Sequence, residues 1–158
     1  MSDVEVIPAE QFGRDFLPAA FRPPGGDEYY LRNQQVGRPG DAWRPLRLEE
    51  IAALEAGGND ATDWSGVRVR DPFTPRLVRH CSFAGLVRVG RLDDVLLRHH
   101  ELHVPAGLTH SRLLDCDIGN NAAVHHVRYL AHYIVGDRCM LLNLDEMHCT
   151  NHAKFGNG

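Results

Sequence analysis

The chain has little of what marks several common classes of protein. Its four cysteines, Cys81, Cys116, Cys139 and Cys149, form no Cys-x-x-Cys pair, which argues against a zinc ribbon. No apolar run is long enough to span a bilayer, so no membrane partner is expected. The start, Met1-Ser2-Asp3-Val4-Glu5-Val6, lacks the basic and apolar stretches of a signal peptide, and a cytoplasmic location follows by default. No basic stripe points to nucleic acid, and formal net charge is −4. A Gly-rich phosphate loop is missing too. Gly85 and Gly90 have the spacing, but Arg91-Leu92 follows where Lys-Ser/Thr belongs. His99-His100-Glu101-Leu102-His103 is not a zinc-protease motif.

What is present suits one domain of 158 residues with an ordinary 43% hydrophobic content. Residues 1–45 are rich in Pro, Gly and polar side chains, punctuated by Phe12, Phe16, Phe21, Tyr29 and Tyr30. They read as an irregular arm lying on the domain, since free linkers carry few aromatics. Residues 46–76 lead in. Pro45 to Ala56 forms a short amphipathic helix with early acids and a Gly57-Gly58 stop, and its Leu48, Ile51 and Ala52 should face the core. Asn59 to Asp63 is a turn, and Val67-Arg68-Val69-Arg70 alternates as a strand does.

From residue 77 aliphatics recur in hexads: Leu77, Phe83, Val89 and Val95. Residues 96–107 break the pattern, so an excursion belongs there. It resumes at Leu108. Leu113, Ile118 and Val124 then recur 17 positions later as Leu130, Val135 and Leu141. Such spacing predicts a mostly β chain whose residues 77–158 form a left-handed parallel β-helix of 17–18 residues per coil. Parallel strands stack about 4.8 Å apart, so equivalent side chains form columns. Gly119 and Gly136 are placed where the chain turns sharply. Cys116 and Cys139, each two positions before an inward aliphatic, are expected to be small buried thiols.

The columns also show exceptions. Ser111, Arg128 and Asp145 share one, and Arg128 and Asp145 should pair across neighbouring coils. Asp115, His132 and Cys149 share another, too uniformly placed for a tetrahedral metal site, so no metal is assigned. His152 falls where an aliphatic is due, in the polar run Asp145 to Phe155. A broken rule of this kind often marks function. A loop leaving the coil explains it as well.

Several stretches carry a resemblance: Trp64-Ser65-Gly66-Val67-Arg68-Val69-Arg70-Asp71-Pro72-Phe73, Gly85 to Leu92, Val104-Pro105-Ala106-Gly107, Cys116-Asp117-Ile118-Gly119, Ile134-Val135-Gly136-Asp137, and Asp145 to Gly158. Over residues 43–158 the chain resembles the N-terminal part of a large bacterial family of unknown function. Its members are thought to carry a hexapeptide-repeat β-helix of the trimeric acyltransferase superfamily. They are often labelled UDP-N-acetylglucosamine pyrophosphorylase-like. They are much longer, so a truncated reading frame is expected here. The resemblance implies a homotrimer, a sugar or sugar-nucleotide substrate and a coenzyme A thioester as co-substrate. It implies a histidine base but does not say which. The candidates are His152, His132 and His126, with Glu146, Asn151, Lys154 and His125 positioning the substrate. A pyrophosphorylase step is not expected, because residues 1–76 hold no nucleotide-binding loop. The alternative is a non-catalytic β-helix acting as a binding or assembly module, its arm packing on a neighbouring subunit.

Overall fold

The computed structural model of the protein describes residues 4–9, 12 and 29–149. His152, Asn151 and Lys154 lie outside the described residues. The chain is mostly β. Its elements are α1 (Tyr29–Val36), β1 (Arg44–Pro45), α2 (Leu48–Ala56), β2 (Asp60–Ala61), β3 (Val67–Val69), β4 (Val78–Arg79), β5 (Ser82–Ala84) and β6 (Val87–Val89). Then come β7 (Leu96–His99), β8 (Leu102–Pro105), β9 (Gly107–Thr109), β10 (Arg112–Leu114), β11 (Asp117–Ile118), β12 (Ala123–Ala131), β13 (Ile134–Val135) and β14 (Met140–His148).

Parallel pairing arranges these strands in three stacks, which the chain visits in rotation. The first stack sets Val78 beside Leu108, Leu108 beside Val124 and Val124 beside Leu141. In the second, Ala61, Phe83, Leu113, Leu130 and Met147 are successive neighbours. Val69, Val89, Ile118 and Val135 make the third, closed at one edge by antiparallel β1. The 17-residue repeat is thus the register of the last two rounds. Strands β12 and β14 each cover two stacks, bending at His126 and Asn143, where φ is 55° and 54°. The columns form one core: Val69, Leu108, Leu113, Val124 and Leu130 are all fully buried. Each such aliphatic contributes about 1.5–3 kcal/mol by leaving water.

The excursion is an antiparallel hairpin, β7 against β8. It explains why thirty positions separate Val78 from its partner Leu108. Several expectations need correction. The inward residue at the start of the pattern is Val78, not Leu77, and Val95 is exposed, because the hairpin has already left the stack. In α2, Leu48 is exposed and Ala52 faces solvent, while Glu50 and Leu54 turn inward. Arg44 sets that rotation. Its guanidinium donates to both Glu50 carboxylate oxygens at 2.8 Å, while Glu50 also accepts from the Arg47 amide at 2.8 Å and caps the helix. Ser111 aligns with inward Val127, whose amide donates to its hydroxyl at 3.0 Å, so it does not share a column with Arg128. The passage Leu108–Leu113 is one residue shorter than Val124–Leu130, which shifts that register. Arg128 and Asp145 do pair, at 3.5 Å on the surface.

Gly119 is required by close approach rather than by a sharp turn. Its φ is not in the left-handed region, but an added Cβ would lie 2.4 Å from the Asp137 amide of the next round. Cys116 is buried as expected, Cys81 is buried too, and burial pushes the Cys81 and Cys116 thiols up to about 12 and about 11. Cys139 is exposed. It sits one round beyond fully buried Ala122, and no described residue covers it. Finally, the arm contains a helix, α1, which its composition does not announce. Proline and glycine flank the short stretch that forms it.

Candidate functional site

Rotation through three stacks creates corners, and two corners are built alike. In each, the residue two positions after the inward aliphatic takes a left-handed backbone. Between the first and second stacks these residues are His80, His110, His126 and Asn143, with φ of 52°, 50°, 55° and 54°. Between the second and third they are Gly85, Asp115 and His132, with φ of 67°, 48° and 63°. Histidine, asparagine and aspartate tolerate this region better than most residues. The corner backbone therefore selects polar, chemically capable side chains.

At the first corner the imidazoles form a ladder. His80 and His110 have ring centroids 4.9 Å apart, and His110 and His126 are 4.7 Å apart and nearly parallel at 5°. These distances are the strand spacing itself. Beside the ladder lies an open groove of about 410 Å³, lined by His110, His126, Arg128, Asn143, Leu144 and Asp145. His110 has its imidazole held below the usual histidine range, first by desolvation and then by His126, His80 and His125. Two like charges at 4.7 Å cost about 1 to 3.5 kcal/mol as the local dielectric falls from bulk water to a typical protein surface. The ladder therefore resists carrying charge on adjacent rings.

Of the sequence candidates, His126 stands exposed in this groove. His125 does not share its freedom. Its Nε2 lies 2.8 Å from the Pro105 carbonyl and its Nδ1 2.8 Å from the Thr109 hydroxyl. The carbonyl can only accept, so Nε2 donates to it, and the Thr109 hydroxyl engages the other ring nitrogen. His132 lies at the other corner, 5.4 Å from the His148 ring. Burial, His148 and Arg32 lower it to about 4, so it is neutral at pH 7. Glu146 is beside His148, 3.9 Å from its Nδ1, and not in the ladder groove. No group of three or more potential metal ligands occurs among the described residues. The sequence reading missed His80 and His110. The signal was available for His110, which follows the column residue Leu108 by two positions as His126 follows Val124; His80 follows Val78, which the hexad from Leu77 passes over.

The second corner is closed by α1. Arg32 donates to Asp115 at 2.9 Å, to Asp117 at 2.5 Å and to the Leu86 carbonyl at 2.7 Å. Arg88 grips Asp117 with two bonds of 2.7 and 2.5 Å, donates to Asn33, and lies 4.0 Å over the Trp43 ring. All four charged groups are buried, and the two cations balance the two anions. Between this clamp and the third stack is a smaller cleft of about 220 Å³ containing Arg38 and Asp137, which pair at 3.3 Å.

A parallel, three-stack chain with polar left-handed corners defines a class of β protein with repeating rounds. The family described as a domain of unknown function, DUF4954, matches residues 43–158, and the chain belongs to that family. It is 48% identical, over 98% of its length, to an uncharacterized protein of Treponema pallidum (strain Nichols). It spans 21% of that relative's length. No solved structure matches the chain. Among the described residues no helix is long and apolar enough to cross a membrane.

Proposed function

We propose that the chain is a segment of a left-handed parallel β-helix of the hexapeptide-repeat type, serving a cytoplasmic transferase that acylates a sugar or sugar nucleotide. The rotation through three stacks and the 17-residue register of the last rounds support the architecture. One observation carries the chemistry: His126 is an exposed imidazole facing a polar groove large enough for a small metabolite. In this reading neutral His126 takes a proton from the acceptor amine, whose nitrogen attacks the thioester carbonyl of an acyl coenzyme A. The tetrahedral intermediate collapses, coenzyme A leaves as its thiolate, and the imidazolium returns the proton to it. A homotrimer would complete the site between subunits.

The test is acetyl-coenzyme A turnover over a panel of amino sugars by the longer natural protein. His126→Ala should reduce turnover about 100-fold or more, the usual contribution of a general base. Unchanged turnover in that variant removes His126 from the mechanism. The openness of the groove favours a second reading, a non-catalytic binding or assembly module. A monomer by light scattering that binds neither coenzyme A nor nucleotide selects it.

A further inference from the structure

We propose that the groove beside the histidine ladder binds a phosphoryl group, and that binding draws a proton onto the stacked imidazoles. The inference rests on the transferase reading only in naming a phosphorylated sugar as the ligand; the phosphoryl site itself stands on geometry. Two parallel imidazoles, His110 and His126, with ring centroids 4.7 Å apart, line it. Asn143 continues the same column with a carboxamide, and Arg128 supplies a guanidinium to the lining. Among the described residues Asp145 is the one carboxylate there. It holds Arg128 at 3.5 Å while both side chains are more than four-fifths exposed, a loose pair that an incoming dianion can replace. Phosphate accepts several hydrogen bonds at once, which suits a groove lined by imidazole, carboxamide and guanidinium donors.

The ladder supplies the proton linkage. Three titratable rings from three successive rounds meet here: His80 after β4, His110 after β9 and His126 within β12. His125 of β12 is held by Pro105 and Thr109, and Arg128 of β12 with Asp145 of β14 provides the fixed charges. His110 is the middle ring, so its positive form suffers from both neighbours. A bound dianion reverses that balance most strongly at His110. Phosphoryl binding would then anchor the substrate beside His126.

The experiment is calorimetric titration of the full natural protein with inorganic phosphate, pyrophosphate, glucosamine 6-phosphate and glucosamine, without coenzyme A. Each is run in two buffers of different protonation enthalpy. Once the probes' own second ionisation is subtracted, the phosphorylated probes should bind with uptake of a proton and tighten about tenfold as pH falls from about 7.5 to about 6.5, whereas glucosamine should not bind measurably. Tighter binding of the sugar phosphate than of inorganic phosphate identifies a sugar phosphate as the ligand; the reverse order points to free phosphate. His110→Gln should abolish the pH dependence. Arg128→Ala should weaken binding about tenfold and leave the proton uptake intact. Asp145→Asn should strengthen binding. Arg128 and Asp145 are exposed, so these two variants report on the site even if His110→Gln misfolds. Absence of phosphoryl binding, or binding indifferent to pH and to all three substitutions, overturns the proposal. Intact binding with no acyl transfer removes the transferase reading alone.

Discussion

The two polar corners have the same backbone and opposite fates. At one, Arg32 of α1 grips Asp115, and Arg32 and Arg88 bring compensating charge to Asp115 and Asp117. At the other, His80, His110 and His126 stack on one another beside an open groove. Left-handed geometry selects the residue type at both. What differs is the neighbour, and the neighbour decides whether a polar corner becomes structural glue or a reactive surface. Removing one partner from the covered corner should therefore cost far more than altering the open one. The largest effect belongs to Asp117, which accepts from both guanidinium groups. Asp117→Ala removes the carboxylate shared by two buried cations and should destabilise the protein by about 3–5 kcal/mol in urea unfolding. A loss below about 1 kcal/mol would mean that α1 is not clamped as described.

Much of this contrast is visible in the sequence once the pairing is known, and only part before. The column aliphatics Leu113, Ile118, Val124, Leu130, Val135 and Leu141 are legible because burial repeats with the round. The excursion at 96–107 is legible because charged residues and Pro105 interrupt that repeat. The start is harder to place. A five-residue step from Val78 to Phe83 looks much like a six-residue step from Leu77. The helix face in α2 is misread because apolar spacing favours Leu48, whereas the ionic grip of Arg44 on Glu50 sets the rotation. The clamp was not legible at all. It joins Arg32 to Asp115 across 83 positions, and nothing local in either stretch announces the other. The ladder lies between these cases: His80, His110 and His126 hold equivalent places, but attention to inward residues passes over the corners.

The covered corner can also be tested through pH. His132 titrates near 4 in the folded protein, lowered by burial, His148 and Arg32, against 6.5 for the free side chain. Between those values the unfolded chain binds more protons, so stability falls as pH drops from about 6.5 toward 4 and levels off below. Partial exposure reduces the effect to about 1 kcal/mol. His132→Asn should flatten that part of the stability profile while keeping a residue suited to the left-handed backbone. A wild-type profile with no slope there that depends on residue 132 would show that the corner is more open than α1 makes it.

The smallest effect should come from the open corner. Asn143 already occupies the ladder position one round after His126, with φ of 54° against 50° at His110. His110→Asn therefore keeps the backbone preference and removes only ring stacking, which exposed rings exchange readily for water. Thermal unfolding should change by no more than about 0.5 kcal/mol, the range of ordinary surface substitutions. His110→Val keeps the position but loses the tolerance for positive φ, so it should be the more destabilising of the two. If Asn and Val were equally damaging, the stack itself would be holding the corner. If neither mattered, the left-handed backbone would not be what selects histidine. Either result would break the view that the two corners share one geometric cause and differ only in what covers them.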